Sequence, residues 1–321
     1  MAPGFTQLDW LRKTTQVDLD TLDLSVAEKF GPFVDCTSNQ GIVWAEASRS
    51  ENIDVVKRAA QWAKEIESDE SKQVVRGTKI LMALLSVRAL PHLTGRVLLQ
   101  TSMRTAHDTK GTVEDALSII AAYELVKPDL PRSRICIKIP STWEGLEACR
   151  ILTAEHGINT LATTMFNTEQ AIVASEAGCV FVSPYLNELG VHFSGEVDQD
   201  KGFGVIREIF EYFESTGSKT KLKTASFTNT EEILLLAGAH STTIPPRFIE
   251  ALSQMPADPA TEPPYQPLSK DASKRRPVDE AAFRRALDNN ANVSRKMKEA
   301  VEVFLGFEIK LEELIQAQLN Q

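Results

Sequence analysis

The sequence predicts an α/β chain folded as one closed (β/α)8 barrel, and three observations carry that expectation. Eight short β-rich runs alternate with longer segments whose apolar residues recur at helical spacing. Several of those segments end at a glycine (Gly157, Gly178, Gly217 and Gly238), where a left-handed residue closes a helix. The rival, a doubly wound open sheet, advertises a Gly-rich phosphate turn after its first strand, and VDCTSNQG holds nothing of the GxGxxG kind.

In chain order the strand candidates are TTQVDL (14–19), FVDCTS (33–38), RVLLQTS (96–102), ICIKIP (135–140), NTLATTMF (159–166), CVFVSPY (179–185), KLKTAS (221–226) and STTIPP (241–246). Between them lie the helical candidates IDVVKRAAQWAKEIE, VEDALSIIAAYELV, WEGLEACRILTAEHG, NTEQAIVASEAG, FGVIREIFEYFESTG and NTEEILLLAGA. Strand, helix, glycine and next strand, repeated, is the order of a TIM barrel. The Pro-rich stretch MPADPATEPPYQPLSK reads as an exposed loop after the last strand. The tail from about 280 to 318 reads as two helices packed outside the barrel, so residues 1–321 are expected to form a single domain.

Composition narrows the function classes. At 321 residues, with 42% hydrophobic and 25% charged content, the chain can bury a large core. Its net charge of -9 repels nucleic acid and anionic membrane on average. The basic run SKDASKRRPVDE is flanked by acids and reads as a solvated loop. No secretory signal and no apolar stretch of about 20 residues is visible, which predicts a cytoplasmic protein without membrane partners. Cys36, Cys136, Cys149 and Cys179 stand singly in apolar surroundings, as buried inert thiols do. Trp44 and Trp62 read as helix-face residues and Trp143 as packing under the site.

Chemistry in such a barrel sits at the carboxyl ends of the strands. The polar residues there are Asp20, Asp35, Thr37, Asn39, Gln100, Ser102, Arg104, Lys138, Ser141, Thr163, Ser183, Tyr185, Ser226 and Asn229. His107, His156, His192 and His240 are scattered and no GxSxG elbow occurs, so neither a metal site nor a serine triad is expected. Lys138 stands out inside the apolar strand ICIKIP. A buried lysine loses its charge by desolvation and becomes an amine nucleophile towards carbonyls. The alternatives are a lysine that snorkels to the rim or pairs with a strand acid.

ICIKIPSTWEGLEACRILTAEHGIN resembles the lysine strand and following helix of the transaldolase family, whose pattern is approximately IKI(A/P)STW(E/Q)G. VDCTSNQG resembles its DATTNPS segment, SEAGCVFVSPYLNEL its EAG…ISPFVGR segment, and TASFTNTEEILLLAG its ASFRN…EI…LAG segment. The resemblance runs in order across nearly the whole chain. It implies a class I, Schiff-base aldolase barrel that needs no cofactor, with Lys138 as the Schiff-base lysine and Thr163 holding a catalytic water. It also implies substrate contacts by Thr37, Asn39, Ser183, Ser226 and Arg104, and proton handling by Asp20, matched with a shift of one residue. A homodimer is the family analogy.

Several positions depart from the pattern. The catalytic glutamate of the family is Gln100 here, and an amide cannot exchange a proton at neutral pH. The phosphate-gripping arginines are Glu188 and Thr228, and a substrate asparagine is Leu161. Gln100, Thr163 and Tyr185 resemble instead the glutamine, threonine and tyrosine of the fructose-6-phosphate aldolase branch, although that branch keeps its arginine. These departures predict a Schiff-base aldolase or aldol transferase for unphosphorylated or atypical ketones and aldehydes in specialised metabolism. The alternatives are a conventional pentose-phosphate transaldolase recruiting Arg104 or Arg247, and a catalytically silent binding protein.

Overall fold

The computed structural model describes residues 4–321. Eight parallel strands close on themselves in sequence order: β1 (Gln16–Leu19), β2 (Cys36–Thr37), β3 (Val97–Gln100), β4 (Ile135–Pro140), β5 (Asn159–Met165), β6 (Phe181–Pro184), β7 (Lys221–Thr224) and β8 (Ser241–Ile244). Each predicted strand is found, usually shorter than its apolar run. The ICIKIP strand matches to the residue.

The helices are α1 (Gln7–Thr14), α2 (Leu24–Phe30), α3 (Gln40–Ala47), α4 (Ile53–Ile66), α5 (Glu70–Val87), α6 (Thr109–Val126) and α7 (Trp143–His156) in the first half. They continue with α8 (Thr168–Glu176), α9 (Val191–Ser194), α10 (Phe203–Thr216), α11 (Thr230–Leu235), α12 (Pro246–Gln254), α13 (Glu280–Asp288) and α14 (Ala291–Leu319). The βα junctions that shape the barrel mouth are short because a capping residue follows the strand at once. Asn39, Thr142, Asn167 and Asn229 each accept a bond from the first turn of α3, α7, α8 and α11. All four predicted glycine caps have positive φ. At Gly238 a side chain is also sterically excluded, since a Cβ would lie 2.0 Å from the Tyr265 carbonyl oxygen.

Helix α5 escapes the apolar-periodicity argument for a physical reason. It is buried continuously from Gly77 to Ser86, packed against α4, α6 and α14, so it has no polar face to set a period. The Pro-rich loop is exposed as expected except at Tyr265, which is buried edge-on against Phe210 at 5.0 Å. The two tail helices do form, and α14 packs on α3, α4 and α5. It also reaches over the barrel mouth, where Phe304 and Phe307 become wall residues of the main cavity.

Inside the barrel the side chains form layers. Leu98, Cys136, Leu161 and Phe181 pack together in the lumen. Beside them the fully buried Lys223 of β7 bonds the carboxylates of Asp18 and Asp35, the latter at 3.2 Å, and donates to Ser241 Oγ at 3.0 Å. Asp35 therefore belongs to this buried cluster and not to the strand ends where its sequence position suggested it. All four cysteines are free and buried.

Candidate active site

A cavity of about 420 Å³ opens at the carboxyl ends of the strands. Its polar lining includes Asp20, Asn39, Lys138, Tyr185, Ser226 and Thr243. Lys138 enters it from β4, where ladder pairing sets it between Gln100 and Leu161. The side chain is 5% exposed and its ammonium has neither an ion pair nor a hydrogen bond among the described residues. Burial pushes its pKa below the ordinary lysine value, tempered by the Asp20 carboxylate. That combination favours a neutral amine.

The neighbours are held by one another. Thr37 Oγ1 donates to Asp20 Oδ1 at 2.6 Å and shares a short contact with Thr243. Asn39 uses its Oδ1 on the Ile42 amide at 3.0 Å, so its amide NH₂ is what it presents to the cavity it lines. Thr163 Oγ1 donates to the Tyr185 hydroxyl at 3.2 Å, and burial raises the phenol pKa, keeping it protonated. Ser226 Oγ donates to the Asn187 carbonyl at 2.7 Å and stands 2.8 Å from His192 Nε2. Ser183 is buried on the adjoining β6.

Gln100 is fully buried beside Lys138 and its amide orientation is fixed. Its Nε2 donates to Gln40 Oε1 at 2.9 Å, and Gln40 Nε2 in turn donates to the Thr101 carbonyl at 2.8 Å. Gln100 Oε1 is thereby left as a buried acceptor without a protein partner. Such a buried orphan acceptor beside Lys138 suits a water. The backbone is strained at this same end of the barrel: Thr164 and Ser226 have φ of 53° and 68°, and the β5–β6 register shifts between Ala162 and Met165.

Four of the residues expected to touch substrate stand outside this cluster. Arg104 is tied to Glu308 and Glu312 of α14, each at 2.7 Å, and does not line the cavity. Leu161 is packed in the luminal layer with Cys136 and Phe181. Glu188 is ion-paired to Arg295, and Thr228 Oγ1 donates to Glu232 at 2.9 Å. Of the other strand-end residues, Ser102 bonds Glu308, Ser141 bonds the Thr163 carbonyl and Asn229 is spent on its cap.

The family model for transaldolase/fructose-6-phosphate aldolase matches residues 17–317. This chain belongs to the transaldolase/fructose-6-phosphate aldolase family. Similar proteins include a transaldolase of Pseudoalteromonas atlantica, 31% identical over 97% of this chain and 98% of its own. A probable transaldolase of Drosophila melanogaster is 31% identical over 98% and 96%. A transaldolase of Agrobacterium fabrum is 31% identical over 98% of each chain. The protein is thus an enzyme of the class I aldolase/transaldolase type. No helix among the described residues is long and apolar enough to cross a membrane.

Trp44 and His192 of the cavity, and Gln40 beside it, were not visible as site residues in the sequence. Trp44, expected on a helix face, lines the cavity with its ring 5.5 Å from Phe307. Trp143 packs edge-on against Phe283 of α13 at 5.5 Å. His192, scattered in sequence, lines the cavity, and burial followed by the charge of Arg247 pushes its pKa down. Gln40 follows the recognisable TSN segment directly, and its place next to a capping asparagine on a strand end was the available signal.

Proposed function

We propose that this transaldolase-family enzyme makes, breaks or transfers a carbon-carbon bond through an iminium on Lys138, with ketones and aldehydes that lack a phosphate group. The observation that carries the reading is the buried, unpaired Lys138 amine in a cavity that it shares with Asp20, Asn39 and Tyr185. The neutral Nζ adds to the substrate carbonyl carbon, and the carbonyl oxygen takes up protons and leaves as water. The resulting iminium withdraws electrons, so the bond between the α and β carbons breaks and its electron pair becomes an enamine. The proton of the β-hydroxyl passes to the Asp20 carboxylate, which Thr37 orients, as the aldehyde departs.

The enamine then adds to a second aldehyde, taking the proton back, or is itself protonated on carbon. Water finally attacks the iminium carbon, expels the ketone and regenerates the amine. Gln100 Oε1, Thr163 and the Tyr185 hydroxyl are the groups that position that water. Gln100 accepts a hydrogen bond but moves no proton, leaving proton transfer to the water, Asp20 and Tyr185. The absence of a phosphate requirement is supported by Glu188 and Thr228, which are engaged with Arg295 and Glu232, and by a cavity lining that holds no arginine among the described residues.

Conventional pentose-phosphate transfer is the second reading, supported by the relatives' names and by Arg247, whose charge bears on the cavity residue His192. Intact mass after borohydride reduction separates the two. Wild type should gain one ketone mass with hydroxyacetone or dihydroxyacetone, and Lys138→Ala should gain none. An adduct confined to fructose 6-phosphate would favour the second reading, and equal adducts on both proteins would remove Lys138 from the chemistry.

A further inference from the structure

Beside its polar groups the cavity is lined by Ile42, Trp44, Leu189, Phe193, Phe304 and Phe307. Three of these rings form a chain along the rim: Phe307 stands 5.5 Å from Trp44 and 5.8 Å from Phe193, tilted at 42° and 41°. Phe193 is 60% exposed, which no packing demand of the core explains. Lys310 sits over both Trp44 and Phe307, at 4.8 and 5.0 Å from the ring centres, and steadies the pair from outside.

A polyhydroxylated sugar chain would leave its hydroxyls unpaired against those walls, at a penalty for every desolvated group. A flat apolar group would gain contact with three rings already in place. Burial lowers the pKa of His192, the other basic side chain in the lining, which is turned towards Ser226, and no arginine is among the described lining residues to grip an anion.

We propose that the cavity takes a ketone or aldehyde bearing an aryl group, its carbonyl at Lys138 and its ring against Trp44, Phe193 and Phe307. The carbonyl half of this assignment rests on the Lys138 reading above; the aryl half rests on the rim alone. A cavity of about 420 Å³ is within the range of pockets that enclose small organic ligands.

The matched pair butan-2-one and 4-phenylbutan-2-one isolates the ring. Half-saturation of borohydride trapping on wild type should fall roughly 10- to 100-fold on adding the phenyl group, the range expected for burying a ring. Phe307→Ala should cut that ratio by about fivefold or more. Equal half-saturation for the two ketones, or tighter trapping of fructose 6-phosphate than of the aryl ketone, would overturn the proposal. Calorimetric titration of Lys138→Met with 4-phenylbutan-2-ol, which cannot form an imine, separates the two halves. Saturable binding of the alcohol together with no trapping of any carbonyl by wild type would keep the aryl site and remove the lysine chemistry. No heat of binding and no phenyl preference would remove the aryl site.

Discussion

Two lysines are buried inside this barrel and they have opposite surroundings. Lys223, on β7, lies among Asp18, Asp35 and Ser241, with the Phe181 ring 4.1 Å away. Burial opposes its charge, but the two carboxylates outweigh burial and hold its pKa above the ordinary value. Lys138, on β4, has no carboxylate in contact, and burial wins. Burial alone therefore does not make a nucleophile. What separates a structural ammonium from a reactive amine is the presence or absence of a partner that stabilises the charge.

The largest expected effect tests the reactive side of that contrast. Lys138→Met should reduce carbon-carbon turnover by on the order of 10⁴-fold or more, as loss of a covalent nucleophile does, without lowering the melting temperature. Steady-state assays beside thermal unfolding check both halves, and a destabilised variant would mean that Lys138 has a hidden structural partner. Lys223→Met should do the opposite. It strands two buried carboxylates and should lose about 3–5 kcal/mol in urea unfolding, with much of that recovered when Asp18→Asn and Asp35→Asn are added. A nearly neutral Lys223→Met would show that its carboxylates are already protonated.

The two lysines also divide what was legible in the sequence. Lys138 stood out because ICIKIP is otherwise apolar, and a family motif surrounds it. Lys223 was hidden in KLKTAS, where an alternating lysine reads as the polar half of a strand. Its partners come from strands about 200 residues earlier, and no local pattern reports such a pairing. The same limit explains the cavity. The floor came from strand ends whose order the sequence displays, while Trp44 and Phe307 meet only because α14 returns from the far end of the chain to lie on α3. Helix α5 was illegible for the converse reason, since it is buried continuously from Gly77 to Ser86.

Titration sharpens the comparison further. The folded-state pKa of Lys138 lies below the unfolded-chain value, so between the two the unfolded chain binds the extra proton and stability climbs with pH. The burden is full below the folded pKa and gone above the unfolded one. Lys138→Met should consequently stabilise the protein at neutral pH, with the gain shrinking towards pH 10.5. Trapping of ketones by wild type should rise with pH over the same interval as the neutral amine fraction grows. A stability gain independent of pH would indicate better packing by methionine and no charge penalty.

In the proposed mechanism Gln100 Oε1 helps to hold the water, and Gln40 fixes the Gln100 amide. Gln40→Leu frees the Gln100 amide to rotate, and should lower kcat about tenfold while leaving KM for the ketone within about twofold. Loss confined to KM would assign Gln40 to binding, and activity kept by Gln40→Asn but lost in Gln40→Leu would support the hydrogen bond itself.

The smallest effect extends the contrast to the barrel rim. Arg104, like Lys223, is a cation already provided with carboxylates, here Glu308 and Glu312 of α14, and it does not line the cavity. Its side chain is 43% exposed, so screening by solvent leaves the pair worth no more than about 1 kcal/mol. Arg104→Ala should move the urea midpoint slightly and leave the half-saturating ketone concentration within about twofold. A tenfold rise for a phosphorylated sugar alone would mean that α14 releases the arginine on binding, and that a partnered cation can still serve substrate. Absent that rise, the rule drawn from the two buried lysines holds at the rim as well, because carboxylates that satisfy a charge also withdraw it from chemistry.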